Sequence, residues 1–246
     1  MKLLIDIGNT TTSFGLWVDN KLSMLTSVEN KKICVNAKKY IKKDIDIIFL
    51  TSVISSTQNK IIKDCLKKIF KCRIRQIKSS PNILGVKNGY DKPSKLGDDR
   101  WVTVVASFIL YKEPLLIIDC GTAVSMDIIN NKGKHLGGFI FAGFDGYSKS
   151  FKNAYHLKHT KIQQGMLLKK KSFPRETSHA ITGGYLLMII TAIKEIYNEI
   201  KKHQKVIPKI LISGSYGKII SNNLSLKSKY EPDLVLKCLG IISDSL

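Results

Sequence analysis

The sequence lacks any run of 18 or more apolar residues, and the apolar stretch after Lys2 is interrupted by an acid at position 6. A membrane-spanning helix needs about 20 mostly apolar residues in a row. A secretory signal needs an unbroken apolar segment of about 7 to 15 residues. We therefore expect neither a membrane partner nor a signal peptide, and we predict that the 246-residue chain is cytoplasmic.

Cysteines are few and show no pairing pattern. Their number, five, is odd, and no two have the Cys-x-x-Cys spacing that is typical of zinc and redox sites. This argues against a disulfide framework and against a structural zinc site, and it favours a reducing compartment. The cysteines are Cys34, Cys65, Cys72, Cys120 and Cys238.

Arginine is also scarce, although the formal net charge is +21. Only four of the 40 basic residues are arginines, and the lysines are scattered beside isoleucine and asparagine along the whole chain. A nucleic-acid-binding surface would show a clustered basic stripe interleaved with aromatic residues. The pattern is more typical of a coding bias toward lysine, so we predict no nucleic-acid partner.

Two segments have the same order of parts, which indicates an internal duplication. "IDIGNTTTSFGLWVDNKLSML" (5–25) and "IDCGTAVSMDIINNKGKHLGGFI" (118–140) each contain an apolar strand, Asp-x-Gly, a second strand, an Asn/Asp turn and a third strand. Apolar strands that end in Thr or Ser follow at 46–55 and 209–217. We therefore predict an α/β fold with two mixed sheets flanked by helices. The predicted domains are 1–112 and 113–246.

Helices are predicted between these strands, at 30–43, 56–71, 95–111, 145–156 and 177–202. The last is the most regular, because apolar residues recur there at three- and four-residue steps. Gly183 and Gly184 lie inside it, where each costs about 1 kcal/mol relative to alanine. Either a close helix contact or ligand approach explains them, or the helix tolerates them.

The repeated Asp-x-Gly turns are the main functional signal. Gly8 and Gly121 would permit a positive φ and let an anion approach the backbone N–H groups that follow. Asp6 and Asp119 cannot bind phosphate themselves, so a cation is implied at one or both. One such turn is often only an Asx-type turn. Two copies, facing each other across a cleft, would grip a polyphosphate from both sides.

These turns resemble the phosphate-binding hairpins of the superfamily that contains acetate kinase, sugar kinases, Hsp70 and actin, in which two RNase H-like domains close on ATP. More narrowly, "DIGNTTTSFG", "GYDKPSKLGDDRW", "IIDCGTAVSMDII", "GGFIFAG" and "RETSHAITGG" resemble type III pantothenate kinase in order and spacing. The resemblance runs from residue 3 to about 190. One departure lies in "ISGSYG", where this chain has Ser215 at a position that is usually a second glycine in the family.

The resemblance implies a nucleotide site and its cations. ATP would arrive with Mg²⁺ that keeps most of its waters, and a monovalent cation, K⁺ or NH₄⁺, would bind at Asp119. Thr122 matches the second phosphate loop. The first loop comprises Asp6, Ile7, Gly8, Asn9, Thr10, Thr11, Thr12 and Ser13.

The motif "GDDR" is implied to form the substrate site. By resemblance, Asp99 is the general base that accepts the proton of the attacking hydroxyl, and Arg100 can hold the carboxylate of pantothenate with its planar fork. Adjacent acids at a helix start would also suit the helix dipole without any catalytic role. The implied substrate contacts are Tyr90, Gly97, Asp98, Asp99, Arg100 and Thr177.

Several alternatives stay open at this point. Tyr90 could be an ordinary loop residue, and Thr177 could be a helix N-cap. The scaffold could serve a non-catalytic regulator of transcription, or another small-molecule kinase of the superfamily. Family members form dimers, so a homodimer through the helix at 177–200 is expected.

Overall fold

The computed structural model describes residues 1–41, 44–151 and 173–246. Two compact units divide the chain: the first comprises 1–112, 133–135 and 233–246, and the second comprises 113–132 and 136–232. The elements, in chain order, are β1 (Lys2–Ile7), β2 (Thr11–Val18), β3 (Lys21–Glu29), α1 (Ile33–Tyr40), β4 (Ile47–Ser52), α2 (Ser56–Phe70), β5 (Arg73–Gln76), β6 (Asn82–Ile83), β7 (Val86–Lys87), α3 (Asp98–Tyr111), β8 (Leu115–Cys120), β9 (Ala123–Ile129), β10 (His135–Ala142), α4 (Phe144–Ser150), α5 (Thr177–Gln204), β11 (Lys209–Ser213), α6 (Gly217–Asn223), β12 (Ser228–Tyr230) and α7 (Leu234–Ser245).

The two main sheets repeat one topology, as the sequence repeat predicts. Their strand orders are β3-β2-β1-β4-β5 and β10-β9-β8-β11-β12. The first strand of each repeat pairs antiparallel with the second and parallel with the strand after the meander. Asp6 and Asp119 therefore occupy equivalent positions near the carboxyl ends of β1 and β8.

Alternating apolar residues form the core of the first unit. Side chains of β1 such as Leu3 and Ile5 are buried against Ile33 of α1 and against Ile62 and Leu66 of α2. Buried apolar residues recur at every second position along a strand and at every third or fourth position along a helix, and this pattern predicted the strands and the helices. In the second unit, Ile118, Met126 and Ile212 of the sheet pack with Ile189 of α5 and Ile220 of α6.

Helix α7 belongs to the first unit, which differs from the predicted domain 113–246. The indole N–H of Trp17 donates to Asp244 at 2.8 Å, and Lys2 Nζ donates to the carbonyl of Ser243 at 2.9 Å. A Cβ on Gly240 would lie 2.4 Å from the Trp17 ring, so glycine lets the helix approach this closely. Helix α7 therefore packs on the first sheet beside α3.

The predicted helices agree with the structure except at their ends. The segment 30–43 contains a short 3-10 turn, Asn30–Lys32, before α1, and residues 42–43 lie outside the described residues. Helix α3 starts three residues later than predicted, after a second 3-10 turn, Pro93–Lys95. Residues 152–156 of the predicted helix 145–156 also lie outside the described part of the chain.

Helix α5 is the longest element, with 28 residues. By length and apolar composition it could cross a membrane, but 44% of its most apolar window is buried within the protein, and core helices pass the same test. Around Gly184, among the described residues, an added Cβ would meet only the Tyr147 hydroxyl, at 3.5 Å. The described residues therefore contain no close helix contact that explains this glycine.

One disulfide corrects the expectation drawn from cysteine spacing. Cys34 of α1 and Cys65 of α2 are bonded, although 31 positions separate them in the sequence. The two helices pack side by side, which brings together two cysteines that no local motif connects. Cys72, Cys120 and Cys238 are not disulfide-bonded, and burial raises the pKa of both Cys72 and Cys120.

Replacing Cys34 with serine should lower the free energy of unfolding by about 2 to 4 kcal/mol, because the bond restricts the unfolded chain. Thermal unfolding with and without a reductant measures this effect. The variant Cys72→Ser is the control, since Cys72 is a partly exposed free thiol of the same unit. A wild-type melting temperature that does not change on reduction would contradict the assigned bond.

Candidate active site

The first Asp-x-Gly turn connects β1 to β2. Gly8 N–H donates to the carbonyl of Thr11 at 3.0 Å and closes the turn. Asn9, Thr10 and Thr11 are exposed at its tip, where their polar groups can reach a ligand. Asp6 is half-buried below the tip, and its sheet neighbours are Ser13 of β2 and Thr51 of β4.

Asn30 supports this turn and was not anticipated from the sequence. Its side-chain amide donates to the carbonyl of Gly8 at 2.8 Å, and its carbonyl oxygen accepts from the Thr12 hydroxyl at 2.8 Å. Thr12 is fully buried, and so is Ile7. Among the predicted phosphate-loop residues, these two side chains therefore face the protein, and only their backbone can contact a ligand.

The second turn connects β8 to β9 through Gly121 and Thr122. Two further glycines lie directly against its backbone. A Cβ on Gly143 would come within 2.4 Å of the carbonyl oxygens of Gly121 and Thr122, and a Cβ on Gly214 within 2.4 Å of the carbonyl oxygen of Cys120. Thr122 is exposed at the tip. Glycine is thus required at 143 and 214 for the second turn to be enclosed this tightly.

Neither Gly8 nor Gly121 uses the positive φ that glycine permits. Positive φ occurs instead at Gly214, where φ is +86°. At Gly8 the constraint is space, since a Cβ would lie 3.1 Å from the carbonyl oxygen of Thr11. At Gly121 the nearest atom outside its chain neighbours, the carbonyl oxygen of Ala123, would be 3.9 Å away.

Asp119 lies at the sheet position that Asp6 occupies in the first unit. Its neighbours across the sheet are Ser125 of β9 and Ser213 of β11. Carboxylate, hydroxyl and backbone carbonyl oxygens are ligands that suit hard cations. No cluster of three His, Cys, Asp or Glu that could hold a metal ion occurs within residues 1–41, 44–151 and 173–246. A cation at Asp119 would therefore also rely on neutral oxygens.

The motif "GDDR" begins helix α3, as predicted. Gly97 is its N-cap residue, and Asp98 and Asp99 lie in its first turn. The backbone N–H of Arg100 donates to Asp99 Oδ1 at 2.7 Å. A Cβ on Gly97 would lie only 2.7 Å from the same carboxylate oxygen, so glycine leaves room for the Asp99 side chain.

Tyr90 and Arg100 are in contact, although ten positions separate them. Arg100 Nη1 donates to the Tyr90 hydroxyl at 2.9 Å, and the guanidinium carbon lies 5.7 Å from the centre of the tyrosine ring. Arg100 is only 9% exposed. The tyrosine ring also stacks on buried His135, with centroids 5.9 Å apart. Tyr90 is therefore more than a residue of an ordinary surface loop.

Asp98 is engaged by the protein itself. Its Oδ1 accepts from the Ser79 backbone N–H at 2.8 Å, and its Oδ2 accepts from Gln76 Nε2 at 3.4 Å. Burial raises the pKa of this carboxyl, while the hydrogen bonds from Ser79 and Gln76 and the nearby charge of Lys78 lower it in part.

Thr177 is the first residue of α5, and it is exposed in the second unit. The N-cap residue is Glu176, without a side-chain capping hydrogen bond. The N-cap interpretation of Thr177 is therefore wrong. Ser215, which departs from the family pattern, is exposed beside Gly214.

Two repeats of this sheet topology, each with an Asp-x-Gly turn between its first two strands, define the fold class of the sugar kinases and actin-like ATPases. The structure of a Sinorhizobium meliloti protein assigned as a 2-dehydro-3-deoxygalactonokinase has a TM-score of 0.56 at 10% identity, over 100% of this chain and 99% of that chain. A Campylobacter jejuni protein assigned to the Baf family of transcriptional activators has a TM-score of 0.68 at 22% identity, over 99% and 98% of the two chains. Both likenesses concern the fold alone.

Sequence comparison identifies the family. The type III pantothenate kinase family model matches residues 2–199. A type III pantothenate kinase of a Sulfurihydrogenibium species is 29% identical over 250 aligned positions, which cover 96% of this chain and 97% of that protein. One from Persephonella marina is 27% identical, over 98% and 96% of the two chains. The chain belongs to the type III pantothenate kinase family.

Proposed function

We propose that this protein transfers the γ-phosphoryl group of ATP to the primary hydroxyl of pantothenate, which gives 4'-phosphopantothenate and ADP in the first step of coenzyme A biosynthesis. Membership of the family supports this activity. The proposal depends mainly on three neighbouring side chains. Asp99 and Arg100 lie in the first turn of α3, where they offer a base and a carboxylate-binding guanidinium. Tyr90, from the preceding loop, adds a hydroxyl that accepts a hydrogen bond from Arg100.

Pantothenate has a carboxylate at one end and the attacking hydroxyl at the other, and we propose that Arg100 binds the first and Asp99 the second. The guanidinium of Arg100 can bind the substrate carboxylate through two parallel N–H bonds. The Tyr90 hydroxyl, which accepts from Arg100, lies beside this fork. Gly97 and Thr177 are proposed to contact the rest of the substrate. Asp99 accepts the proton of the attacking hydroxyl as the oxygen–phosphorus bond forms and the bond to ADP breaks.

Both Asp-x-Gly turns are proposed to bind the phosphates of one ATP. The exposed tip residues Asn9, Thr10, Thr11 and Thr122 can offer backbone N–H groups and hydroxyls to phosphate oxygens. Mg²⁺ enters with ATP and neutralises part of the phosphate charge. A monovalent cation, K⁺ or NH₄⁺, binds at Asp119 and offsets its negative charge near the phosphates.

A homodimer is proposed through α5. Leu187 is 61% exposed and Met188 is 39% exposed on this helix. Beside its second half lies a pocket of about 430 Å³ whose walls include Phe139, Phe141 and Ile196. A second copy of the chain would cover these apolar groups. We also propose a cytoplasmic location, without nucleic-acid or membrane partners.

The proposal is tested by measuring ADP formation with purified protein in the presence and absence of pantothenate. We expect ATP consumption only when pantothenate is present, and faster turnover with K⁺ or NH₄⁺ than with Na⁺. The product should gain one phosphoryl group at the primary hydroxyl, which mass spectrometry and phosphorus NMR detect. Equal turnover of unrelated hydroxy acids would contradict the assigned substrate. A purely regulatory role is not favoured, because the family is one of kinases.

A further inference from the structure

We propose that Asp98 is a positioning residue, which sets Tyr90 and Arg100 at the substrate carboxylate through the loop at 79–90. This inference rests on the proposed function. The resemblance implied that Asp98 contacts the substrate directly, whereas we assign it an indirect role. The evidence is a path of hydrogen bonds that starts at Asp98 and ends at Arg100, both in the first turn of α3.

The first half of the path leads from α3 to the loop. Asp98 Oδ1 accepts from the Ser79 backbone N–H at 2.8 Å. The Ser79 hydroxyl accepts from Asn88 Nδ2 at 3.1 Å and donates to the carbonyl of Pro93 at 2.8 Å. Ser79 therefore connects Asp98 to Asn88. A bond from a backbone N–H to a carboxylate is charge-assisted, which makes this first link stronger than a neutral one.

The second half of the path returns to α3. Asn88 Oδ1 accepts from the Tyr90 backbone N–H at 3.0 Å, and the Tyr90 hydroxyl accepts from Arg100 Nη1 at 2.9 Å. Arg100 follows Asp98 by two positions in the same helix turn. The orientation of Tyr90 relative to Arg100 therefore depends on side chains that the substrate need not touch.

Both carboxylate oxygens of Asp98 are already used within the protein, by Ser79 and by Gln76. Gln76 in turn accepts from Asn59 of α2 at 3.1 Å, which connects the path to a second helix. Burial also makes the ionised form of this carboxyl costly, as its raised pKa indicates. A half-buried carboxylate whose two oxygens accept from Ser79 and Gln76 is better suited to hold this loop than to contact an anionic substrate, which it would repel.

The test compares Asp98→Ala with Asp98→Asn by steady-state kinetics and by calorimetric titration with pantothenate. We expect Asp98→Ala to raise KM and Kd for pantothenate about tenfold, while kcat and KM for ATP stay within about twofold of wild type. Asp98→Asn keeps an Oδ1 acceptor for Ser79 and should recover most of the lost affinity. Asn88→Ala should act like Asp98→Ala, and the double variant should add little to either, because both break one path.

The matched control is Asp64→Ala, an exposed acid on α2, which should leave all parameters unchanged. Asp98→Asn as damaging as Asp98→Ala would indicate a direct need for the charge and would overturn the inference. An Asp98→Ala variant with a wild-type KM would overturn it as well, as would one that loses kcat and ATP affinity in parallel. If the wild-type protein does not phosphorylate pantothenate at all, the proposed function fails, and the inference fails with it.

Discussion

Replacing Asp99 with asparagine should lower kcat for pantothenate phosphorylation by about 10²- to 10⁴-fold, the usual contribution of a positioned general base. Asparagine has the same shape and can still accept from the Arg100 backbone N–H, which Asp99 Oδ1 now does at 2.7 Å. It cannot take the proton of the attacking hydroxyl. The KM for ATP should change little, because the substitution leaves both phosphate turns intact.

Asp64→Asn provides the control for Asp99→Asn, since it makes the same chemical change at an exposed position of α2. Both variants should melt at the wild-type temperature. The rates are measured as pantothenate-dependent ADP release under saturating substrates. A variant Asp99→Asn with undiminished kcat would remove Asp99 from the role of base.

Replacing Gly214 with alanine should damage the second turn, at a cost of about 2 to 4 kcal/mol in the free energy of unfolding. Two independent features cause this. The φ of +86° at this position disfavours any residue with a Cβ. The added Cβ would also lie within 2.4 to 2.7 Å of three backbone atoms of Cys120, which cannot move without shifting β8. Because β8 carries Asp119 and leads into Thr122, we expect ATP affinity to fall at least tenfold.

Urea unfolding and titration with an ATP analogue measure the two effects of Gly214→Ala. The control is Gly146→Ala in α4, where the nearest atom among the described residues outside the helix's own backbone, Ala142 Cβ, would be 3.9 Å from the new Cβ. That variant should be as stable as wild type or slightly more stable. If Gly214→Ala binds the ATP analogue with wild-type affinity, the close enclosure of the second turn has no part in nucleotide binding.

The sheets could be predicted from the sequence because their signals are local. Apolar alternation, Asp-x-Gly turns and Asn/Asp turns each act over a few residues, and the duplication supplies every signal twice. Helix α7 falls within the predicted domain 113–246 but groups with the first unit, and its partners there, Trp17 and Lys2, lie more than 220 positions away in the sequence. The disulfide was missed for a similar reason, since the side-by-side packing of α1 and α2 has no signature in the spacing of Cys34 and Cys65.

The candidate site was predictable where a motif is contiguous. "GDDR" indicated a helix start, and residues 97–100 lie there. The proximity of Tyr90 to Arg100 came from resemblance alone, because no periodicity connects a loop residue to a helix ten positions later. Asn30 and Gly143 were missed as supports of the turns, since their importance lies in which backbone atoms they approach. Gly8 shows that close packing can require glycine without a positive φ, whereas at Gly121 an added Cβ would lie 3.9 Å from the carbonyl oxygen of Ala123, which is an ordinary contact distance.

The central claim is that ATP binds at the two turns while Asp99 receives the proton of the pantothenate hydroxyl. A crystal structure of the protein with pantothenate, Mg²⁺ and a non-hydrolysable ATP analogue tests it most directly. We expect the primary hydroxyl within about 2.6 to 3.2 Å of the Asp99 carboxylate, the carboxylate of pantothenate on Arg100, and the phosphates against residues 8–11 and 121–122. Pantothenate bound with its carboxylate at Asp99, or phosphates bound away from both turns, would contradict it.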